Sequence, residues 1–128
     1  MDIFWLFLPF IYIYSRYERF VLMVATKQIT VLGATGSIGQ STLALVRQNL
    51  RQFSVQALVA GENYQELAAL AREFHPKIIG IHDESKHCDL RNLVSDLDCD
   101  VVAGAQACTD IAAIPVNLVV AGISGLAG

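Results

Sequence analysis

Val31-Leu32-Gly33-Ala34-Thr35-Gly36-Ser37-Ile38-Gly39 reads as a buried strand that breaks into a glycine-rich turn and opens a helix. A strand feeding a helix through glycines leaves unpaired backbone N–H groups around a concavity, with the positive end of the helix dipole behind them. That arrangement cradles phosphate. The three glycines do different things. Gly33 turns the strand sharply, Gly36 lets backbone approach a pyrophosphate, and Gly39 lets the helix pack closely on the sheet. The spacing is G-x-x-G-x-x-G, a departure from the commoner G-x-G-x-x-G fingerprint. Glycine triplets also occur in plain turns, so the flanking elements decide the reading. Here a strand pattern precedes the turn and a helix pattern follows it.

Outward from this turn, the chain alternates the two patterns. Gln28–Gly33 is the first strand, and Ser37–Asn49 is a helix expected to turn Ile38, Leu43, Leu45 and Val46 toward the core. Phe53–Ala60 is a second strand closed by Gly61. Asn63 then caps a helix, with Glu66 completing a capping-box pattern and Leu67, Leu70, Ala71 and Phe74 on its apolar face. Pro76 stops that helix. Lys77–His82 is a third strand, Ser85 opens a weaker helix through Leu90, Leu93, Val94 and Leu97, and Cys99–Ala103 is a fourth strand. A short Ala-rich helix leads to a fifth strand, Val116–Ala121, which delivers the chain to Gly122-Ile123-Ser124-Gly125.

Strict β-α repetition with short connections implies right-handed crossovers and a parallel sheet. The expected fold class is therefore α/β: a Rossmann-type three-layer αβα domain with a parallel sheet of about five strands. Its ligand should lie across the carboxyl ends of the strands, where the loops Gly33–Gly39, Gly61–Asn63 and Gly122–Gly125 converge. Three glycine-bearing strand ends suit a dinucleotide better than a mononucleotide. Glu62 stands about 20 positions beyond the glycines, where an acidic residue accepts from the ribose 2′-hydroxyl of NAD and a basic one accommodates the 2′-phosphate of NADP. It follows Gly61 instead of ending the strand, so it carries little weight by itself.

Composition sets the outer limits. The 128 residues allow one domain with a real core, and 54% are hydrophobic. The net charge of −3 gives no electrostatic footprint for nucleic acid. Cys88, Cys99 and Cys108 are odd in number and widely spaced, and read as reduced, mostly buried thiols of a cytoplasmic protein. Residues 1–22 stand apart. Ile3 to Tyr14 is almost wholly apolar, yet shorter than the about 20 residues that cross a bilayer, and Pro9 interrupts it. Asp2 replaces the positive region of a signal peptide. The preferred reading is that translation begins at Met23, just before the first strand. A membrane-touching segment through Trp5, Phe7, Phe10, Tyr12 and Tyr14 stays open.

Other polar groups read as structural. His82, His87 and Cys88, with Asp83 and Glu84, match no zinc spacing. His75 suits a helix C-terminus. Asp96, Asp98 and Asp100 lack the glycine and glutamate of a calcium loop. Ser37 and Ser41 lie in no nucleophile elbow.

Taken together, Lys27–Leu43, Phe53–Gly61 with the Asn63 cap, and Val120-Ala121-Gly122-Ile123-Ser124-Gly125-Leu126 closely resemble the start of the 1-deoxy-D-xylulose 5-phosphate reductoisomerase family. The resemblance runs from Lys27 to Gly128. It implies that residues 23–128 are an NADPH-binding domain, with Gly33, Thr35, Gly36, Ser37 and Ile38 at the cofactor phosphates, Gly61, Glu62 and Asn63 beside the adenosine ribose, and Gly122 near the nicotinamide. Glu62 departs from the basic or neutral residue expected there. The family continues into an Ala-Asn-Lys-Glu segment and a catalytic domain with acidic ligands for divalent Mg or Mn, substrate-phosphate contacts and a lid. None of these is in the 128 residues, so the chain is expected to be a fragment without catalytic residues or metal ligands of its own. In the full-length enzyme the resemblance implies a phosphosugar substrate and a homodimer, with no nucleic-acid or membrane partner. Two other readings carry different expectations: another NAD(P)-dependent reductase or epimerase, which a Tyr-x-x-x-Lys pair would mark, and a non-catalytic nucleotide-binding module tethered to membrane by residues 1–22.

Overall fold

The computed structural model describes residues 26–122; the N-terminal segment and the Ile123–Gly125 part of the last turn lie outside the described residues. Five strands form one sheet: β1 (Lys27–Leu32), β2 (Phe53–Ala60), β3 (Ile78–Ile81), β4 (Asp100–Ala103) and β5 (Leu118–Ala121). All pairings are parallel, in the order β4-β3-β2-β1-β5. The helices are α1 (Ser37–Gln48), α2 (Tyr64–Phe74), α3 (His87–Leu93) and α4 (Ala105–Ala112), with a 3-10 turn at Glu84–Lys86 before α3.

Three steps run outward from β1 to β4, and the fourth jumps back to place β5 on β1's other side. With one hand of crossover, this reversal divides the helices between the two faces. Leu43 and Val46 of α1, Leu67, Leu70 and Ala71 of α2, and Leu90 of α3 join Ile29, Val31, Val55, Leu58 and Ile79 in one core. Ile111 of α4 packs with Ala57 and Val59 on the opposite face. The fold is thus the expected three-layer α/β domain. Its strand order reverses between β1 and β5, and in open α/β sheets such a reversal opens the ligand crevice.

One irregularity sorts β2. The β1–β2 register shifts between Ile29 and Thr30, which pair with Val55 and Ala57, so Gln56 is an extra residue. Without the bulge Val55 and Ala57 would share a face; with it, Val55 joins the α1–α3 core and Ala57 the α4 side. On that side Thr30 is fully buried and its Oγ1 has no hydrogen-bond partner.

The helix faces depart from expectation at particular residues. Leu43 and Val46 are buried, whereas Ile38 and Leu45 are 56% and 63% exposed. Gly39, Leu43 and Val46 make the buried stripe of α1, and Ile38 and Leu45, one heptad apart, share its flank. Leu93 of α3 is likewise exposed, beside buried Leu90 and Val94. The thiols are less buried than expected: Cys88 is exposed and Cys99 and Cys108 are half-buried, because α3 and α4 cover the sheet only at its edge. The third to fifth strands are also shorter than the apolar runs that announce them. His75 closes α2 in the left-handed conformation (φ 52°), its N–H donating to Ala71 O at 2.9 Å.

Candidate functional site

The glycine-rich turn sits at the carboxyl end of β1, the strand next to the topological reversal. Gly33 has φ +81°, which a side chain would strain. Its N–H and that of Ala34 both donate to Val59 O at 2.8 Å, pinning the turn to β2. Gly39 answers to close approach: a Cβ there would overlap Gly33 O and lie 2.8 Å from Ala34 Cα. The first turn of α1 therefore rests directly on the backbone of the loop, as the spacing predicts.

Gly36 is different. It is the N-cap of α1 in extended conformation, and a Cβ would meet only Gly33 O at 3.5 Å and Gly122 O at 3.6 Å, both ordinary contacts. Packing within the chain does not demand a glycine there. No side chain caps α1, and its first turn carries no acidic residue. Its leading N–H groups, at Ser37, Ile38 and Gly39, have no intrahelical partner. Ser37 and Ile38 are exposed, and Thr35 and Gly36 half-buried. Backbone donors and helix dipole thus coincide at one point.

Gly122 closes the other side. Its N–H donates to Leu32 O at 2.8 Å, and a Cβ on it would lie 2.8 Å from Ile38 Cβ. The exposed Ile38 side chain therefore packs against the end of β5 at the rim of the cradle, which explains its absence from the core.

The β2 end supplies the third loop. Gly61, Glu62 and Asn63 are all exposed, and a Cβ on Gly61 would meet nothing within 4 Å. Asn63 Oδ1 accepts from Glu66 N–H at 3.1 Å, and its amide lies 3.4 Å from Glu66 Oε1, so the side chain is engaged in capping α2. Gln40 Nε2 donates to Glu66 Oε2 at 2.6 Å, tying the first turn of α1 to the first turn of α2. Gly61 and Glu62 line an open cavity of about 580 Å³ with His82, Asp83, Glu84, Ser85 and Ala105. Sequence reading leaves out this second half of the site; its signal is Asp83 followed by Ser85. Asp83 Oδ1 accepts from Ser85 Oγ at 2.6 Å and Ser85 N–H at 3.0 Å, capping the 3-10 turn. Those bonds, the hydroxyl's first, hold the Asp83 carboxyl below its usual range. The His87 ring nitrogen lies 3.2 Å from Val101 O, directed into the fold.

A parallel sheet with a glycine turn and an uncapped helix N-terminus beside the reversal point defines a dinucleotide-binding type of α/β domain. Residues 29–128 match the 1-deoxy-D-xylulose 5-phosphate reductoisomerase family, and the chain belongs to it. A Desulfitobacterium hafniense (strain Y51) reductoisomerase is 51% identical over 80 residues, covering 62% of this chain and 21% of the relative. A Photorhabdus laumondii relative is 44% identical over 105 residues, covering 80% and 26%. Among solved structures, the Zymomonas mobilis reductoisomerase in complex with NADPH superposes with TM-score 0.73 at 37% identity, over 74% of this chain and 25% of that one. A reductoisomerase complex with NADPH, fosmidomycin and magnesium gives TM-score 0.71 at 38% identity, over 76% and 24%. The chain spans about a quarter of the length of these relatives. The family match leaves the other reductase or epimerase and the tethered module unfavoured.

Proposed function

We propose that this chain is the NADPH-binding part of a 1-deoxy-D-xylulose 5-phosphate reductoisomerase, which converts 1-deoxy-D-xylulose 5-phosphate to 2-C-methyl-D-erythritol 4-phosphate in isoprenoid precursor synthesis. The observation that carries this is the uncapped start of α1, with no side chain on its leading N–H groups, in a chain that superposes on an NADPH-bound relative. Backbone N–H groups of Ser37 and Ile38 hold the pyrophosphate, with Gly33, Thr35 and Gly36 shaping the turn around it. Gly61, Glu62 and Asn63 flank the adenosine ribose, and Gly122 with Ile38 borders the nicotinamide. The dinucleotide, when bound, supplies hydride.

Among the described residues, no group of three or more His, Cys, Asp or Glu side chains is arranged to hold a metal ion. In this reading the divalent metal and the phosphosugar are held outside the described residues, and this chain orients the reductant. The enzyme acts as a cytoplasmic homodimer in this reading. Among the described residues no helix is long and apolar enough to cross a membrane.

Titrating the 128-residue chain with NADPH, followed by nucleotide fluorescence, tests the proposal. Saturable binding that Gly36→Asp abolishes while circular dichroism is unchanged is the expected result. A folded chain that binds no NADPH would overturn it.

A further inference from the structure

We propose that Gln40 is a positioning residue for the dinucleotide, its side-chain amide holding the phosphate turn and the start of α2 at the separation that one bound NADPH spans. The inference rests on the function proposed above and adds a residue that lies outside the three glycine loops.

Gln40 is the fourth residue of α1, and its backbone N–H donates to Gly36 O at 2.8 Å, the first bond of the helix. The side chain is thus fixed at its root while its amide reaches sideways. Nε2 carries two protons. It donates to Glu66 Oε2 at 2.6 Å and to Thr35 O at 3.4 Å. Glu66 Oε1 in turn accepts from Asn63 Nδ2 at 3.4 Å. Thr35, Gln40, Glu66 and Asn63 therefore form one line of hydrogen bonds from the turn after β1 to the loop after β2. The Thr35–Gly36 peptide is held on both sides, its carbonyl by the Gln40 amide and its N–H by Gly33 O at 3.1 Å. That peptide leads into the cap of α1, so its plane sets where the leading N–H groups of the helix point.

A second bridge separates this role from plain helix packing. Arg47 and Glu73 stand seven residues further along each helix and pair through both guanidinium and carboxylate arms, Nη2 donating to Oε1 at 2.8 Å. The two helices are therefore tied twice: by Gln40 and Glu66 at the carboxyl ends of the strands, and by Arg47 and Glu73 about 10 Å away. Both bridges hold α1 to α2, and only the first reaches the turn. A ligand with phosphates at one loop and ribose at the other binds more tightly when the loops are set before it arrives, because ordering them then no longer opposes binding.

Dissociation constants for NADPH on the 128-residue chain, with circular dichroism unchanged, test this in the wild type, Gln40→Ala, Glu66→Ala, their double variant, Glu66→Gln and Glu73→Ala. Gln40→Ala and Glu66→Ala should each weaken NADPH about three- to tenfold, the worth of one hydrogen bond. The double variant should bind no more weakly than the poorer single one, because both changes cut the same bridge. Glu66→Gln keeps an acceptor for the Gln40 amide and should lose less than Glu66→Ala. Glu73→Ala cuts the distant bridge and should stay within about twofold of wild type. Multiplying losses in the double variant would overturn the inference, as would a Glu73→Ala loss equal to that of Gln40→Ala or a Glu66→Gln variant as weak as Glu66→Ala. A folded wild type that binds no NADPH would bring down the parent proposal as well; NADPH binding that Gln40→Ala moves by less than about twofold removes this inference alone.

Discussion

Gln40 and Glu66 join the two loops that frame the site: the Gln40 amide donates to the Glu66 carboxylate at 2.6 Å. Glu66 also donates its backbone N–H to the Asn63 cap, so the capped residue of α2 is the one that latches it to α1. A double-mutant cycle of Gln40→Ala and Glu66→Ala should return a coupling of about 0.5–1.5 kcal/mol in denaturant unfolding. Additive losses would show that the latch contributes nothing. Asn63→Ala should cost about 1 kcal/mol through the lost cap.

The two leucines of α1 provide a sharper contrast. Leu43 is 1% exposed and Leu45 63%. Leu43→Ala should destabilise the chain by about 2–5 kcal/mol, and Leu45→Ala by less than about 0.5 kcal/mol. Equal effects in urea unfolding would contradict the orientation of α1.

What the sequence makes readable follows from how local each signal is. The turn at Gly33, Gly36 and Gly39, the Asn63 cap and the alternation of elements are written within a few residues of one another, and the structure has them. Ile38 misleads because its apolar side chain packs beside the end of β5 and not in the core, and Leu45 because a helix flank can be apolar without being covered. The bulge at Gln56 is invisible in Phe53–Ala60, where plain alternation would set Val55, Ala57 and Val59 on one face. Strand order is a tertiary property, so the approach of Asp83 and Glu84 to Glu62 across adjacent strands could not be read from spacing. His75 in the left-handed region carries no glycine to announce it.

Thr30 offers a stabilising change. Its hydroxyl is buried without a partner, and valine has nearly the same shape. Thr30→Val should raise stability by about 1 kcal/mol by removing an unsatisfied polar group. A loss of stability in thermal unfolding would mean that the hydroxyl is satisfied in solution.

Acid should act at the 3-10 turn. The Ser85 hydroxyl, then its N–H, lowers the Asp83 pKa. A carboxyl whose folded pKa is depressed stabilises the fold above its unfolded pKa, and that contribution fades as pH falls through the folded value. The window therefore lies below about pH 4. Ser85→Ala should move the Asp83 titration upward toward the ordinary carboxylate range, read by NMR of its carboxyl carbon; an unmoved titration would show that the hydroxyl bond does not form.

Thiol reagents should separate the cysteines. Burial first, then the charges of Asp100 and Asp98, push the Cys99 thiol up to about 11, and burial raises Cys108. Exposed Cys88 should therefore react first with iodoacetamide near neutral pH, by mass spectrometry of tryptic peptides. Faster labelling of Cys99 would be inconsistent with this packing.

The acidic cavity beside an uncapped helix start also governs how fast an anion arrives. The N–H groups of α1 act at contact distance, while Glu62, Asp83 and Glu84 and a net charge of −3 act over the screening length of the solvent. Attraction is confined to the last few ångströms and repulsion fills the approach. A dinucleotide therefore meets an encounter barrier that salt lowers, so its association rate rises with ionic strength over a range where its residence time changes much less.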